Sequence, residues 1–207
     1  MIQWFPGHMA KTLKEIEKNL KVANAIIYCL DARAPKSCLN PEIDRIVAGK
    51  PVIFVLNKSD LADENQTKKF KAQLEGEGKS VVITNANANS SRSVILKALK
   101  EAFAAKQSTF DKKGINGILR AMVIGVPNTG KSTIINLLAN SKKATTGDKA
   151  GVTKNSSWVK IGENLEIMDT PGTLWPSFED ANVGRNLAII GSIKDDVLDL
   201  TELSVEL

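Results

Sequence analysis

Short apolar runs alternate along the chain with segments in which apolar residues recur every three or four positions. The runs Ala25–Leu30 and Pro51–Leu56 are continuous and partly β-branched, which predicts buried parallel strands. In Met9–Asn24 the apolar residues are spaced for one face of a helix, with lysines between them. The same reasoning predicts strands at Ser80–Thr84 and Leu119–Gly125, and helices at Pro41–Ala48, Glu64–Glu77, Ser93–Lys106, Lys131–Asn140 and Asp180–Ile193. Strands that alternate with helices predict an α/β fold, with a mostly parallel sheet and helices on both of its faces.

Two segments depart from this alternation. Gln107–Gly117 carries Lys112-Lys113-Gly114 and Asn116-Gly117 without sustained periodicity, which predicts a linker. Val159–Ile161 and Leu165–Met168, separated by three polar or glycine residues, predict a β-hairpin. We therefore expect residues 1–207 to form a single domain in which 1–24 is a basic amphipathic segment and 107–117 is a linker.

Composition narrows the class of protein. The chain has 207 residues, of which 43% are hydrophobic and 25% charged, as is usual for a soluble globular protein. Its apolar runs are far shorter than the roughly 18 residues of a membrane-spanning helix, and its N-terminus lacks the pattern of a secretion signal. Cys29 and Cys38 are too few for a disulfide framework, which fits a reducing cytosol. We expect a cytoplasmic protein without a membrane partner, and its net charge of +5 permits contact with nucleic acid without requiring it.

The strongest chemical signal is the segment Gly125–Ser132, which reads GVPNTGKS. It is a complete phosphate-binding loop, or P-loop, that follows a predicted strand and precedes a predicted helix. Its glycines allow backbone N–H groups to surround phosphate oxygens, Lys131 reaches the β- and γ-phosphates, and the Ser132 hydroxyl suits Mg²⁺. The predicted phosphate-contacting residues are Asn128, Thr129, Gly130, Lys131, Ser132 and Thr133. A glycine-rich turn without a ligand is the alternative reading of such a loop.

Two weaker motifs support a nucleotide site. Asp169-Thr170-Pro171-Gly172 ends a strand with a carboxylate that suits Mg²⁺, followed by a glycine whose N–H can sense the γ-phosphate. Asn57-Lys58-Ser59-Asp60 ends another strand, and the Asp60 carboxylate can accept two hydrogen bonds from guanine that adenine cannot donate. Alone, the first motif is often a turn and the second a polar cap. Beside a P-loop they point to GTP.

The order of these motifs is unusual. Asn57–Asp60 precedes the P-loop, and the P-loop precedes Asp169–Gly172, whereas the guanine motif comes last in ordinary GTP-binding domains. The order is that of a circularly permuted domain, in which the original ends are joined through 107–117. Permutation of this kind is tolerated where chain ends are close and exposed.

With these motifs the chain resembles the circularly permuted GTPases of ribosome assembly. The resemblance also rests on Trp4–Met9, Asp31-Ala32-Arg33, Gly151-Val152-Thr153 and Leu174-Trp175-Pro176. It implies a Mg²⁺-dependent GTPase, binding GTP and GDP, that hydrolyses GTP slowly alone and faster on its partner. The implied partner is the large ribosomal subunit precursor with its rRNA, and the implied state is a monomer.

The resemblance also implies roles for further residues. Thr153 corresponds to the threonine that closes over Mg²⁺ and the γ-phosphate, and Asn85-Ala86 to the second loop that contacts guanine. Asn128 lies where several relatives use an asparagine to hold K⁺, although a turn-forming asparagine is an equal alternative. Family members carry a helical C-terminal domain after the GTPase domain, and this sequence, which ends at Leu207, is expected to lack it.

Hydrolysis and RNA contact are less directly predicted. Thr173 stands where many GTPases have the glutamine that orients the attacking water, so His8, the single histidine, is our candidate for that task; a helix cap is the alternative. Lys11, Lys14, Lys18 and Lys21 share one helix face that suits RNA phosphates or merely solvent, with Lys112-Lys113 and Lys142-Lys143 as extensions. The absent glutamine leaves a second hypothesis, a nucleotide-sensing RNA- or ribosome-binding module with negligible hydrolysis.

Overall fold

The computed structural model describes residues 7–141, 157–175, 178 and 180–193, with side chains described from residue 11 onward except at position 157. These residues form a six-stranded sheet with α-helices on both faces. The strands are β1 (Ala25–Asp31), β2 (Val52–Asn57), β3 (Ser80–Ile83), β4 (Leu119–Ile124), β5 (Ser157–Lys160) and β6 (Leu165–Asp169). The helices are α1 (Gly7–Leu20), α2 (Pro41–Val47), α3 (Glu64–Gly76), α4 (Ser90–Lys113), α5 (Lys131–Ala139) and α6 (Ala181–Ile189).

The strand order across the sheet is β3-β2-β1-β4-β6-β5. All neighbouring pairs are parallel except β5 and β6, which form the predicted antiparallel hairpin. The predicted α/β class with a mostly parallel sheet is therefore confirmed. Because β4 lies at the centre of the sheet and β2 and β6 lie close by, the three motifs that follow these strands meet at one edge.

The central strand β1 shows why the sheet has two cores. Its seven residues are all buried, and the first six alternate between the two apolar clusters. Ile26, Tyr28 and Leu30 pack with residues of α1, α2, α3 and α6, whereas Ala25, Ile27 and Cys29 pack with residues of α4 and α5. A strand with both faces covered reads as a continuous apolar run, which is how the sequence revealed it.

Local capping explains where several helices begin. The Asn40 side chain accepts from Glu42 N at 3.0 Å ahead of Pro41 in α2, and Asp63 accepts from Gln66 N at 2.8 Å in α3. Asp180 caps α6 by accepting from Asn182 N at 2.8 Å. These short polar residues before apolar periodicity mark the helix starts in the sequence as well.

The predicted linker over 107–117 is wrong for most of its length, because α4 continues to Lys113. Interactions between residues four apart support the extra turns: Gln107 donates to Asp111 at 2.7 Å, and the Lys106 ammonium lies over the Phe110 ring. The helix ends at Gly114, whose φ of +63° allows Ile115 N to donate back to Phe110 O. The residues between Gly114 and β4 remain as the connection that we predict joins the original chain ends.

The first helix also differs from its prediction. It begins at Gly7 and not at Met9, so His8 lies in its first turn and not in a turn ahead of it. The residues of our predictions that fall within 1–6 and 142–156, among them Thr153, and Pro176 and Leu207 lie outside the described residues. Among the residues that the structure describes, no helix is long and apolar enough to cross a membrane.

Candidate nucleotide-binding site

The P-loop leaves the end of β4 in a conformation that depends on its glycines. Gly125 has φ +143° and Gly130 has φ +94°, and Asn128 between them is left-handed at φ +60°. A Cβ on Gly125 would overlap the backbone carbonyl oxygen of Cys29, and one on Gly130 would overlap Nδ2 of Asn57. The loop is therefore both curved and closely packed against β1 and the end of β2, as a backbone phosphate cradle requires.

Lys131 opens helix α5 and is almost fully buried. Its ammonium donates to Val126 O at 2.9 Å, so the side chain spans the inner side of the loop. Burial lowers the pKa of this ammonium, and the nearby carboxylate of Asp169 opposes that shift. A buried cation held inside an anion-binding loop is suited to phosphate oxygens, as the motif predicted.

Ser132 and Asp169 meet across the site. The Ser132 hydroxyl donates to Asp169 Oδ2 at 2.8 Å, whereas Asp169 Oδ1 is buried and makes no hydrogen bond with any described residue. Burial raises the pKa of this carboxyl, and the Ser132 hydrogen bond works against the rise. A buried carboxylate oxygen without a protein partner beside a serine hydroxyl fits a hard cation such as Mg²⁺, which takes few protein oxygens and otherwise uses phosphates and water.

Asn57 connects three loops of the site. Its Nδ2 donates to Thr129 O in the P-loop at 2.9 Å, and its Oδ1 accepts from Ala86 N at 3.0 Å and from the Thr84 hydroxyl at 3.3 Å. The side chain is 2% exposed, so these bonds hold its amide inside the protein. Asn57 thus bonds the two loops that we predict to contact guanine to the P-loop.

The two other predicted guanine-motif residues have different surroundings. Lys58 is left-handed, with φ +59°, and its ammonium donates to Asn128 O at 2.6 Å and pairs with Asp31 Oδ2 at 3.0 Å. Asp60 is exposed in the 3-10 turn Ser59–Leu61 that follows β2. An exposed carboxylate next to a fixed lysine is accessible to the base edge of a nucleotide.

The loop at Asn85 and Ala86, which we predict to be the second to contact guanine, is closed by a residue that the sequence did not reveal. The Ser91 hydroxyl accepts from Asn85 N at 3.0 Å and donates to Asn85 O at 2.7 Å. Asn85 Oδ1 accepts from Asn87 N at 2.9 Å, so the Asn85 side chain is used within the loop, while Ala86 is buried. Ser91 belongs to the first turn of α4, and its spacing from Asn85 is no recognisable motif.

The segment after β6 packs directly on the P-loop. A Cβ on Gly172 would lie 2.5 Å from Pro127 Cα, and Thr173 N donates to Gly125 O at 3.3 Å. Thr173 itself is fully buried, and among the described residues its hydroxyl has no hydrogen-bond partner. The side chain at the position of the usual glutamine is therefore not exposed to solvent.

The remaining predicted residues are Asn128, His8 and the lysines of the first helix. The Asn128 side chain lies beside Gly191, where a Cβ would come within 3.1 Å of its Nδ2. His8 has a described backbone only, in the first turn of α1. Farther along that helix, Lys11, Lys14 and Lys18, followed by Lys21, are exposed, whereas Thr12 and Ile16 are buried. The predicted lysine face is thus accessible to a partner.

Comparison with known proteins gives consistent relatives. The family described as 50S ribosome-binding GTPase matches residues 120–203. Over 99% of its length the chain is 44% identical to ribosome biogenesis GTPase A of Bacillus cereus, of which it covers 70%. It is 34% identical to the Thermotoga maritima protein of the same name, over 93% of this chain and 66% of that protein. The GNP-bound crystal structure of YlqF from T. maritima is similar with a TM-score of 0.69 at 29% identity, covering 94% of this chain and 72% of that one.

Proposed function

Because this chain belongs to the ribosome biogenesis GTPase A family, we propose that it binds and hydrolyses GTP during assembly of the large ribosomal subunit. Membership confirms the predicted resemblance and the permuted P-loop GTPase fold. It makes the chain a guanine-nucleotide-binding GTPase of ribosome biogenesis; action on the large-subunit precursor and its rRNA is the finer part of the proposal. The observation that carries the proposal is the Asn57 amide, which joins the P-loop carbonyl of Thr129 to the guanine loop at Ala86. Asn57 thereby joins the loop proposed to bind phosphate to the loop proposed to bind guanine.

We assign Mg²⁺ to Ser132 and Asp169, together with Thr153. The support is the buried Asp169 Oδ1, which lacks a partner among the described residues, next to the Ser132 hydroxyl. Mg²⁺ held there would neutralise charge on the β- and γ-phosphates during transfer to water. Lys131 would supply further positive charge from inside the loop, and the Gly172 N–H would report the presence of the γ-phosphate.

For the attacking water we assign His8 in place of the usual glutamine. The support is that Thr173, which stands at the position of that glutamine, is fully buried. A histidine can orient or deprotonate water near neutral pH. Asn128 is our candidate for a K⁺ ion that would add charge beside the phosphates, as an arginine does in other GTPases.

The exposed lysines of α1, with Lys21 directly after it, are our proposed rRNA contact. Lys11, Lys14, Lys18 and Lys21 can each neutralise phosphate charge, and the buried Ile16 holds the opposite side of the helix on the sheet. A contact of this kind weakens steeply as salt rises. We further propose that the protein acts as a monomer in the cytoplasm.

Phosphate release tests the proposed function. The purified protein is assayed with GTP and with ATP, in KCl and in NaCl of equal ionic strength, with and without large-subunit precursor particles. We expect phosphate release from GTP and not from ATP, and a faster rate in KCl than in NaCl. The particles should raise the rate about tenfold or more, which is modest beside the ~10³-fold acceleration that an added positive charge gives other GTPases.

Variants and outcomes sharpen this assay. His8→Ala is expected to bind GTP normally and to lose the particle-stimulated rate, and full stimulation would exclude His8. Equal rates in KCl and NaCl would count against an ion at Asn128. Particle binding that differs between GDP and a non-hydrolysable GTP analogue, without stimulated phosphate release, would favour the second hypothesis of a nucleotide-sensing binding module. Equal use of ATP and GTP would contradict guanine recognition.

A further inference from the structure

Asp31 is a buried carboxylate that the nucleotide motifs do not include. It ends β1, and the register of the sheet sets it beside Asn57 at the end of β2, where Ala32 N donates to Asn57 O at 2.8 Å. The Asp31 side chain is 0% exposed. A carboxylate in such a position requires partners, because an isolated buried charge is strongly unfavourable.

Two cations share this carboxylate. Arg33 donates through Nη2 to Asp31 Oδ2 at 2.7 Å and through Nε to Asp31 Oδ1 at 2.9 Å, and its backbone N–H donates to the same Oδ1 at 3.1 Å. The Lys58 ammonium pairs with Oδ2 at 3.0 Å. Burial disfavours the ionised form, but the Arg33 hydrogen bonds and the Lys58 charge outweigh it and lower the pKa of Asp31. The group is therefore a charged centre with one anion and two cations.

Lys58 is the member that reaches the nucleotide site. Its backbone is left-handed, a conformation that residues with a Cβ rarely adopt and that persists where surrounding contacts fix it. Those contacts are Asp31 Oδ2 on one side and Asn128 O, in the P-loop, on the other. Asn128 is itself left-handed, so the 2.6 Å bond joins two residues in unusual backbone conformations.

Arg33 connects the same centre to helix α6. Its Nη2 also donates to Ile190 O at 3.2 Å, directly after the helix ends. Two residues farther on, the Ser192 hydroxyl donates to Pro127 O of the P-loop at 2.7 Å. The carboxyl end of α6 is thus bonded both to the P-loop and, through Arg33 and Asp31, to Lys58.

We propose that Asp31 and Arg33 are positioning residues for the nucleotide site: Asp31 holds Lys58 against the P-loop carbonyl of Asn128, and Arg33 fixes this unit to the end of α6. The inference rests on the proposed function, since it assigns regulation of the same guanine site. Neither residue contacts the nucleotide in this scheme. Each acts through a neighbour, and binding of a guanine nucleotide is expected to order the end of α6.

A double-mutant cycle on GDP affinity tests the role of Asp31. Asp31→Asn is expected to weaken GDP binding about tenfold in the wild-type background and by less than about twofold in a Lys58→Met background, because the lost interaction is then already absent. KM for GTP should rise by more than kcat falls. Glu166→Gln is the matched control. It breaks a half-buried ion pair in which Glu166 Oε2 lies 2.9 Å from Arg120 Nε, and it should leave GDP affinity unchanged.

Arg33→Gln tests the connection to α6 and covers the case in which Asp31→Asn does not fold. Hydrogen exchange at residues 190–193 is measured with and without GDP. We expect GDP to slow exchange there at least about threefold in the wild type and to lose that effect in Arg33→Gln. Equal weakening by Asp31→Asn in both backgrounds, or unchanged GDP-induced slowing in Arg33→Gln, would overturn the inference. Failure of the wild type to bind GDP would instead refute the proposed function.

Discussion

Asp60→Ala is expected to weaken GTP binding by about 10²–10⁴-fold, since two hydrogen bonds to a charged acceptor are worth about 1.5–3 kcal/mol each. In the predicted complex the carboxylate would accept from the guanine ring N–H and from its exocyclic amine, and alanine offers neither oxygen. ATP has no matching donor pair, so its weak binding should not change. Because Asp60 is exposed, its replacement should leave the free energy of unfolding within about 0.5 kcal/mol of the wild-type value.

Titration with a fluorescent guanine nucleotide, competed by GTP or ATP, measures the effect. Glu163→Ala, in the turn between β5 and β6, is the matched control, because it removes an equally exposed carboxylate outside the site. It should bind GTP as the wild type does. If Asp60→Ala retained its preference for GTP over ATP, base recognition would have to come from other groups, and the assignment of the guanine motif would fail.

Strands β1 and β2 were predictable because each is buried on both faces. Ala25–Asp31 and Val52–Asn57 are continuous apolar runs that end in a polar residue, and their short length and β-branched content favour strands over buried helices. The length of α4 was not predictable from periodicity, because its last turns are exposed and carry no apolar face. They depend on contacts such as Gln107 with Asp111 and on the cap at Gly114. In the sequence such pairs indicate a helix only weakly, whereas the lysines and glycines of the same segment indicate a linker.

The residues of the candidate site were likewise predictable only in part. Lys131, Ser132 and Asp169 were found because a short, local spacing of glycine, lysine and carboxylate is itself the chemical signal. Asp31 entered only as part of the family resemblance, without a role in the site, and Ser91 was not found, because their partners lie on other strands and helices. Asp31 meets Lys58 only through the parallel register of β1 and β2, and a lone carboxylate after an apolar run does not reveal which cation it will meet. Register and tertiary packing thus contain the part of the site that local patterns miss.

Gly125→Ala is expected to destabilise the fold by about 3 kcal/mol or more and to abolish measurable nucleotide binding. Two effects combine at this position. The φ of +143° lies in a region that residues with a Cβ rarely adopt, and the added methyl would overlap the carbonyl oxygen of Cys29. That oxygen belongs to the backbone of the central strand β1, which cannot move away without breaking its ladders to β2 and β4. The P-loop must therefore shift, and with it the amides that would surround the phosphates.

Gly162→Ala separates backbone strain from this close packing. Gly162 also has a positive φ, +72°, but nothing lies within 4 Å of an added Cβ in the turn between β5 and β6. It should lose about 1 kcal/mol of unfolding free energy through strain alone and bind GDP normally. Urea unfolding and GDP titration of both variants give the comparison. Similar losses of stability in the two variants would mean that the contact between Gly125 and Cys29 does not constrain the loop, whereas a stable Gly125→Ala protein that bound GDP would show that the cradle tolerates a different entry from β4.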